Sequence, residues 1–155
     1  MERKLRQRLP SGTFVNVPAV RSRTMAAIRG RNNRSTERKL RSALVRAGIR
    51  GWIINDRAYP GTPDFMFRSL KVAIFVDGCF WHGCKNCANT PNTNARYWRT
   101  KISLNKQRDR RSTYRLRARG ILVLRFWEHE LLHMTQCLEK TNRCLLRATK
   151  KRYRG

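Results

Sequence analysis

The spacing of hydrophobic and polar residues changes period several times along this chain, and each change marks an element. Over residues 36–47, Leu40, Ala43, Leu44 and Ala47 recur at three-and-four spacing, with Ser35 placed as an N-cap and Gly48 as a stop. A helix is predicted there, and residues 49–55 read as a strand. Tyr59-Pro60-Gly61-Thr62-Pro63 is a turn whose prolines exclude a helix. Residues 64–68 and 71–76 predict two strands joined tightly at Ser69-Leu70. The unbroken Val72-Ala73-Ile74-Phe75-Val76 run predicts burial on both faces of the second. Loop 77–94 is too long to be a mere connector. Residues 95–119 predict a long helix closed by Gly120, and residues 121–126 another buried strand. A final helix is expected from 130 to about 148, with Leu131, Met134, Leu138 and Leu145 on one side. The order helix, three strands, helix, strand, helix implies an α/β fold, a mixed β-sheet flanked by helices on both faces.

One face of the long helix breaks its own pattern. It reads Trp98, Ile102, Asn105, Asp109, Ser112 and Leu116, so an amide and a carboxylate interrupt an apolar stripe. Either the helix is rotated enough for both to reach solvent, or they point into a polar site between helix and sheet.

Charge narrows the partner. The 155 residues include 36 Lys plus Arg against 9 Asp plus Glu, a formal net charge of +27. Such a field attracts polyanions and repels itself, so nucleic acid is the leading partner. No segment has the apolar length to span a bilayer, and residues 1–12 lack the apolar core of a secretory signal. Hydrophobic content of 40% suits one globular domain over residues 21–148, between a flexible basic arm (1–20) and a basic tail (149–155). Arg/Lys clusters at 29–41, 106–119 and 147–154 are placed to contact phosphates.

Five cysteines, three of them clustered, indicate a reducing compartment and a metal site over disulfides. Cys79, Cys84 and Cys87 offer thiolates suited to zinc, which takes four ligands in a tetrahedron. The fourth is His82, inside the cluster, or His129. If strand 121–126 runs parallel to strand 71–76, His129 falls beside the cysteine loop and His82 is left for chemistry. Cys137 and Cys144, seven apart on a helix, read as packing residues. Asp64 follows a proline-rich turn; with the Val76 backbone carbonyl from an adjacent strand it would suit Mg2+. His82 could then take a proton from water, as its ordinary pKa allows. An aspartate after a turn is, however, more often a cap than a metal ligand.

The motifs PGTPDF (60–65), FVDGCFWHGC (75–84), the helix with Trp98, Lys101-Ile102, Asn105 and Arg108-Asp109-Arg110-Arg111, and FWEHEL (126–131) together resemble the very short patch repair endonucleases. Met25-Ala26-Ala27-Ile28 and Ser35-Thr36-Glu37 fit in the same order, so the resemblance covers roughly residues 20–135. It implies a restriction-endonuclease-like fold with a structural zinc site, and a bacterial, cytoplasmic enzyme that acts as a monomer. It implies nicking of double-stranded DNA at T·G mismatches left by deamination of 5-methylcytosine, alongside mismatch-repair proteins. By position, Asp64 and the Val76 carbonyl would hold Mg2+, His82 would be the general base, and Glu37 and Asp109 would hold or tune waters at the metal. Zinc would be bound by Cys79, Cys84, Cys87 and His129. Phe80, Trp81 and Trp98 would wedge into the base stack, with Met25 entering from the arm and Asn105 on the DNA-facing side. Some relatives carry Thr in place of Val76, which a backbone ligand survives. The alternative is a basic zinc-containing DNA- or RNA-binding module without catalysis.

Overall fold

A computed structural model of the protein describes residues 36–87, 92 and 94–153. Met25, the N-terminal arm and Ser35 lie outside the described residues. Helix α1 (Thr36–Arg46) leads to strand β1 (Ile53–Ile54), then β2 (Phe65–Phe67) and β3 (Val72–Asp77). Helix α2 (Ala95–Ala118) precedes β4 (Leu122–Trp127), a 3-10 segment (Glu128–His133) and helix α3 (Met134–Arg152). The sheet order is β1-β2-β3-β4, antiparallel through β3 and parallel between β3 and β4. A parallel pair needs a long crossover, and the connection containing α2 supplies it.

Alternation of side chains sorts the core into two layers. Phe65, Phe67, Val72, Ile74 and Phe126 pack on one face with Leu40 and Leu44 of α1 and Cys137 and Ala148 of α3. Met66, Ala73 and Phe75 face the other way, onto Leu116 of α2 and Ile121. Both layers are apolar, which is why β2 and β3 read as continuous hydrophobic runs.

Three expectations change. The strand expected over 49–55 shrinks to two residues, because Gly51 and Asn55 take positive φ (86° and 50°) and Ile49 folds back to donate its N–H to the Leu44 carbonyl. The strand expected to be buried at 121–126 is mostly half-buried, since β4 is the sheet edge. The last helix starts later and runs longer than 130–148. Glu130 accepts the Trp127 N–H (2.8 Å) inside the 3-10 segment, and α3 continues to Arg152, so residues 149–152 are helical.

Candidate active site and metal centre

Parallel pairing brings the carboxyl ends of β3 and β4 to one edge, with Asp77 opposite Trp127. The turn before β2 is pressed against α2. A Cβ on Gly61 would stand 2.7 Å from the Ser112 Cβ, and its φ of 81° also calls for glycine. That close approach carries Asp64 to the same edge, where its Oδ2 accepts the Val76 N–H at 2.7 Å. Burial pushes the Asp64 carboxyl from 3.8 up to about 7. The Val76 bond opposes this, the charges of Glu37 and Asp77 add to it, and Arg125 counters them.

His82 sits on the loop after β3. Its Nδ1 lies 2.6 Å from Asp109 Oδ2 and 3.7 Å from Asp77 Oδ1. Burial alone would lower its pKa, but the Asp109 hydrogen bond and the charges of Asp77 and Asp109 outweigh that and raise it. Asp109 is held below the ordinary carboxylate value: burial pushes it up, and the His82 bond with the His82 and Arg125 charges prevails. Arg125 of β4 binds Asp77 through two nitrogens (2.7 and 2.6 Å), reaches Asp109 Oδ1 at 3.2 Å, and stacks on Phe75 with its Cζ 4.5 Å from the ring centroid. The charges of Asp77 and Arg125 act on both Asp64 and His82. Asp77, His82 and Asp109 are close enough to one another to hold a cation. The Asp77 carboxylate is nevertheless committed to Arg125, and the His82–Asp109 separation is that of a hydrogen bond.

The misfit stripe of α2 thus points inward. Asp109 serves His82, Ser112 is buried, and the Asn105 amide donates to the Trp81 carbonyl (2.9 Å), bracing the loop from behind. Gly83 lets that loop lie flat on α2; a Cβ there would come within 2.5 Å of Ile102.

The second cluster joins Cys79, Cys84, Cys87 and His129. Their sulfurs stand 3.2, 3.7 and 3.4 Å from His129 Nδ1. A tetrahedron with zinc distances near 2.3 Å to sulfur and 2.0 Å to nitrogen has S···N edges of about 3.5 Å, so the donor set fits zinc. The sulfurs also compete for charge. Burial opposes ionisation of Cys84, but N–H groups of Asn86 and Cys87 and the neighbouring thiols hold it below the ordinary thiol value. Cys87, hydrogen-bonded to the Cys79 sulfur, is pushed up to about 12. A bound cation would let all three ionise. Glu128 Oε2 accepts the Cys79 N–H at 3.3 Å, tying the loop to the 3-10 segment. All five cysteines are free thiols, and the Cys137 thiol packs on the Glu130 carbonyl.

Phe80, Trp81 and Trp98 form one half-buried group, with ring centroids 5.2 to 5.8 Å apart. Tyr97 extends it, and the Lys101 ammonium lies 5.3 Å from the Trp81 ring. Asp77, Arg125 and Tyr97 were not anticipated as site residues. Two signals were present: an acid closing an apolar strand, and a lone arginine inside Leu-Val-Leu-Arg-Phe-Trp.

A half-buried acid–imidazole pair, a grouped set of carboxylates and a cysteine–histidine cluster thus meet at one end of the sheet in a very basic α/β chain. Residues 14–89 match the family model for the DNA mismatch endonuclease Vsr. The chain is 43% identical over 127 residues to the type II nicking enzyme V.NaeI of Lentzea aerocolonigenes, covering 79% of this chain and 76% of that one. It is 38% identical to the DNA mismatch endonuclease Vsr of Escherichia coli K12, over 74% of this chain and 72% of that one. The nicking enzyme V.XorIIP of Xanthomonas oryzae pv. oryzae is also 38% identical, over 74% and 83%. The chain belongs to the Vsr family of DNA mismatch endonucleases. Among the described residues no helix is long and apolar enough to cross a membrane.

Proposed function

We propose that the protein nicks one strand of duplex DNA beside a T·G mismatch, by hydrolysis with His82 as general base. The observation that carries this is the His82–Asp109 pair, 2.6 Å apart, beside the Asp77 and Arg125 charges that also act on Asp64. Asp109 Oδ2, 2.6 Å from Nδ1, favours the tautomer with its proton there, which leaves Nε2 to accept a proton from the attacking water. Arg125 keeps Asp109 in place through its other oxygen. Asp64 would hold Mg2+ with the Val76 carbonyl, since N–H and C=O of one residue project to the same side of an antiparallel strand and the Val76 N–H already meets Asp64. A divalent cation there would offset charge developing on the phosphate oxygens. Glu37, whose charge adds to the load on Asp64, would orient water. The crowding of negative charge around Asp64 supports cation binding, because a cation relieves it.

Cys79, Cys84, Cys87 and His129 would hold structural zinc, stiffening the loop that presents Phe80 and Trp81. Rings already ordered by Trp98 and Lys101 lose little further entropy on insertion beside a poorly stacked mismatch. Met25 would enter from the arm, and Asn105 would act by holding the loop.

The test is a nicking assay on T·G and matched duplexes with Mg2+. The wild type should nick only the mismatch, and His82→Ala and Asp64→Ala should lose at least a hundredfold in rate while still binding the duplex. A basic module without catalysis would bind and never cut. Normal cutting by either variant would reassign the base or the metal ligand.

A further inference from the structure

Among the described residues the sheet ends on β4, and the outer side of that strand opens into a groove of about 610 Å³ that the site above does not use. Its floor is the run from Ile121 to Leu124, with Cys144 of α3. Its rim is Arg117 at the end of α2 and Lys140, Arg143, Arg147 and Lys151 along α3, and no carboxylate lines it. The groove lies at the opposite end of β4 from Trp127, roughly 15 Å along the strand at about 3.3 Å per residue.

The unpaired ladder is defined by the hydrogen bonds already made. The Leu122 N–H is donated to the Lys71 carbonyl on the β3 side, so the N–H and C=O of Val123 and Arg125 face outward. Trp127 faces outward too, but Glu130 takes its N–H and so closes the ladder at that end. Glu130 also engages Lys140 at 2.9 Å. Arg117, Arg143, Arg147 and Lys151 have no carboxylate partner among the described residues.

The spacing of the cations says what fits. Arg143, Arg147 and Lys151 recur every fourth residue on one side of α3, about 6 Å apart. In an extended peptide every second side chain lies on one face, about 6.7 Å apart. An acid at alternate positions would meet one cation each while the peptide backbone pairs with Val123 and Arg125. A nucleic acid backbone supplies acceptors but no N–H donors for the two outward carbonyls, and nothing apolar for the floor. The chain's own segment before Thr36 is arginine-rich with Glu2 as its acid, so its charge does not match.

We infer that the outer edge of β4 is a docking site for an extended acidic segment of a partner protein, added as a further strand with its carboxylates on the α3 cations. This does not depend on the catalytic reading.

The test uses the full chain with its metal as isolated and an eight-residue fluorescent peptide of alternating glutamate and valine. A second peptide carries a central proline at equal charge, and an eight-nucleotide single strand of DNA is the third probe. Fluorescence anisotropy at physiological salt should show the first peptide binding at least tenfold tighter than the proline form. Amide hydrogen exchange should slow at Val123 and Arg125. Arg143→Glu with Arg147→Glu, both at exposed positions, should weaken binding at least tenfold. Equal affinity for the two peptides, or unchanged exchange at those amides, would overturn the proposal. Slowed exchange at the same amides with the oligonucleotide in place of the peptide would assign the groove to nucleic acid, and overturn it equally.

Discussion

Replacing Asp64 with asparagine separates what this residue costs the fold from what it does at the site. In the folded protein its carboxyl is pushed from 3.8 up to about 7, by burial first and then by the charges of Glu37 and Asp77. The unfolded chain releases that proton near its ordinary value. Between roughly pH 4 and 7 the folded state therefore holds a proton that the unfolded state has lost, and stability falls as pH rises through that window. About three pKa units at 1.36 kcal/mol each set an upper limit of about 4 kcal/mol. The side chain is only partly buried, and solvent screening brings the expected value to about 2 kcal/mol. The asparagine side chain retains an oxygen to accept the Val76 N–H but cannot ionise. Urea denaturation in magnesium-free buffer, with zinc left in place, should find Asp64→Asn more stable than the wild type by about 2 kcal/mol at pH 8. The gap should shrink to less than half at pH 5. Taking the difference between the two proteins removes the contribution of His82, whose raised pKa also gives stability that is lost as pH rises. A gap of equal size at both pH values, or a variant less stable at pH 8, would show that Asp64 carries no buried negative charge.

Three further outcomes are expected. Arg125→Met should destabilise the protein by about 3 kcal/mol, because it leaves the buried Asp77 carboxylate without its bidentate partner, and adding Asp77→Asn should restore more than half of that. Denaturant titration of the four proteins checks it; a single-variant loss under about 0.5 kcal/mol would mean that water screens the pair. Metal analysis of protein purified without added metal should find about one equivalent of zinc, lost in His129→Ala and kept in His82→Ala. Chelation should lower the melting temperature by roughly 10 °C, as a loss of about 3 kcal/mol does in a chain of this size. Zinc retained in His129→Ala and lost in His82→Ala would exchange the two assignments.

Local order and local chemistry were readable from residues alone. The apolar period marked α1, β2, β3 and α2 within a residue or two, because each buries a face whose repeat is set by its own backbone geometry. The crowding of Cys79, Cys84 and Cys87 pointed to a cluster that could hold a soft metal, and the misfits Asn105 and Asp109 raised a polar site as one of two readings, because such groups are costly on an apolar stripe without partners. Only the tertiary structure decided which groups meet. The parallel register of β3 and β4 sets Asp77 beside Trp127 and draws His129 to the cysteines and Arg125 to Asp77. A pairing between segments so far apart along the chain leaves no trace in either one's periodicity. The exposed edge of β4 belongs to the same category: its run of Leu, Val and Leu has the pattern of a central strand, and only the absence of a neighbour among the described residues makes it a border. Periodicity reports what each face of an element packs against, while hydrogen-bonding edges and charge pairs depend on what the rest of the chain brings alongside.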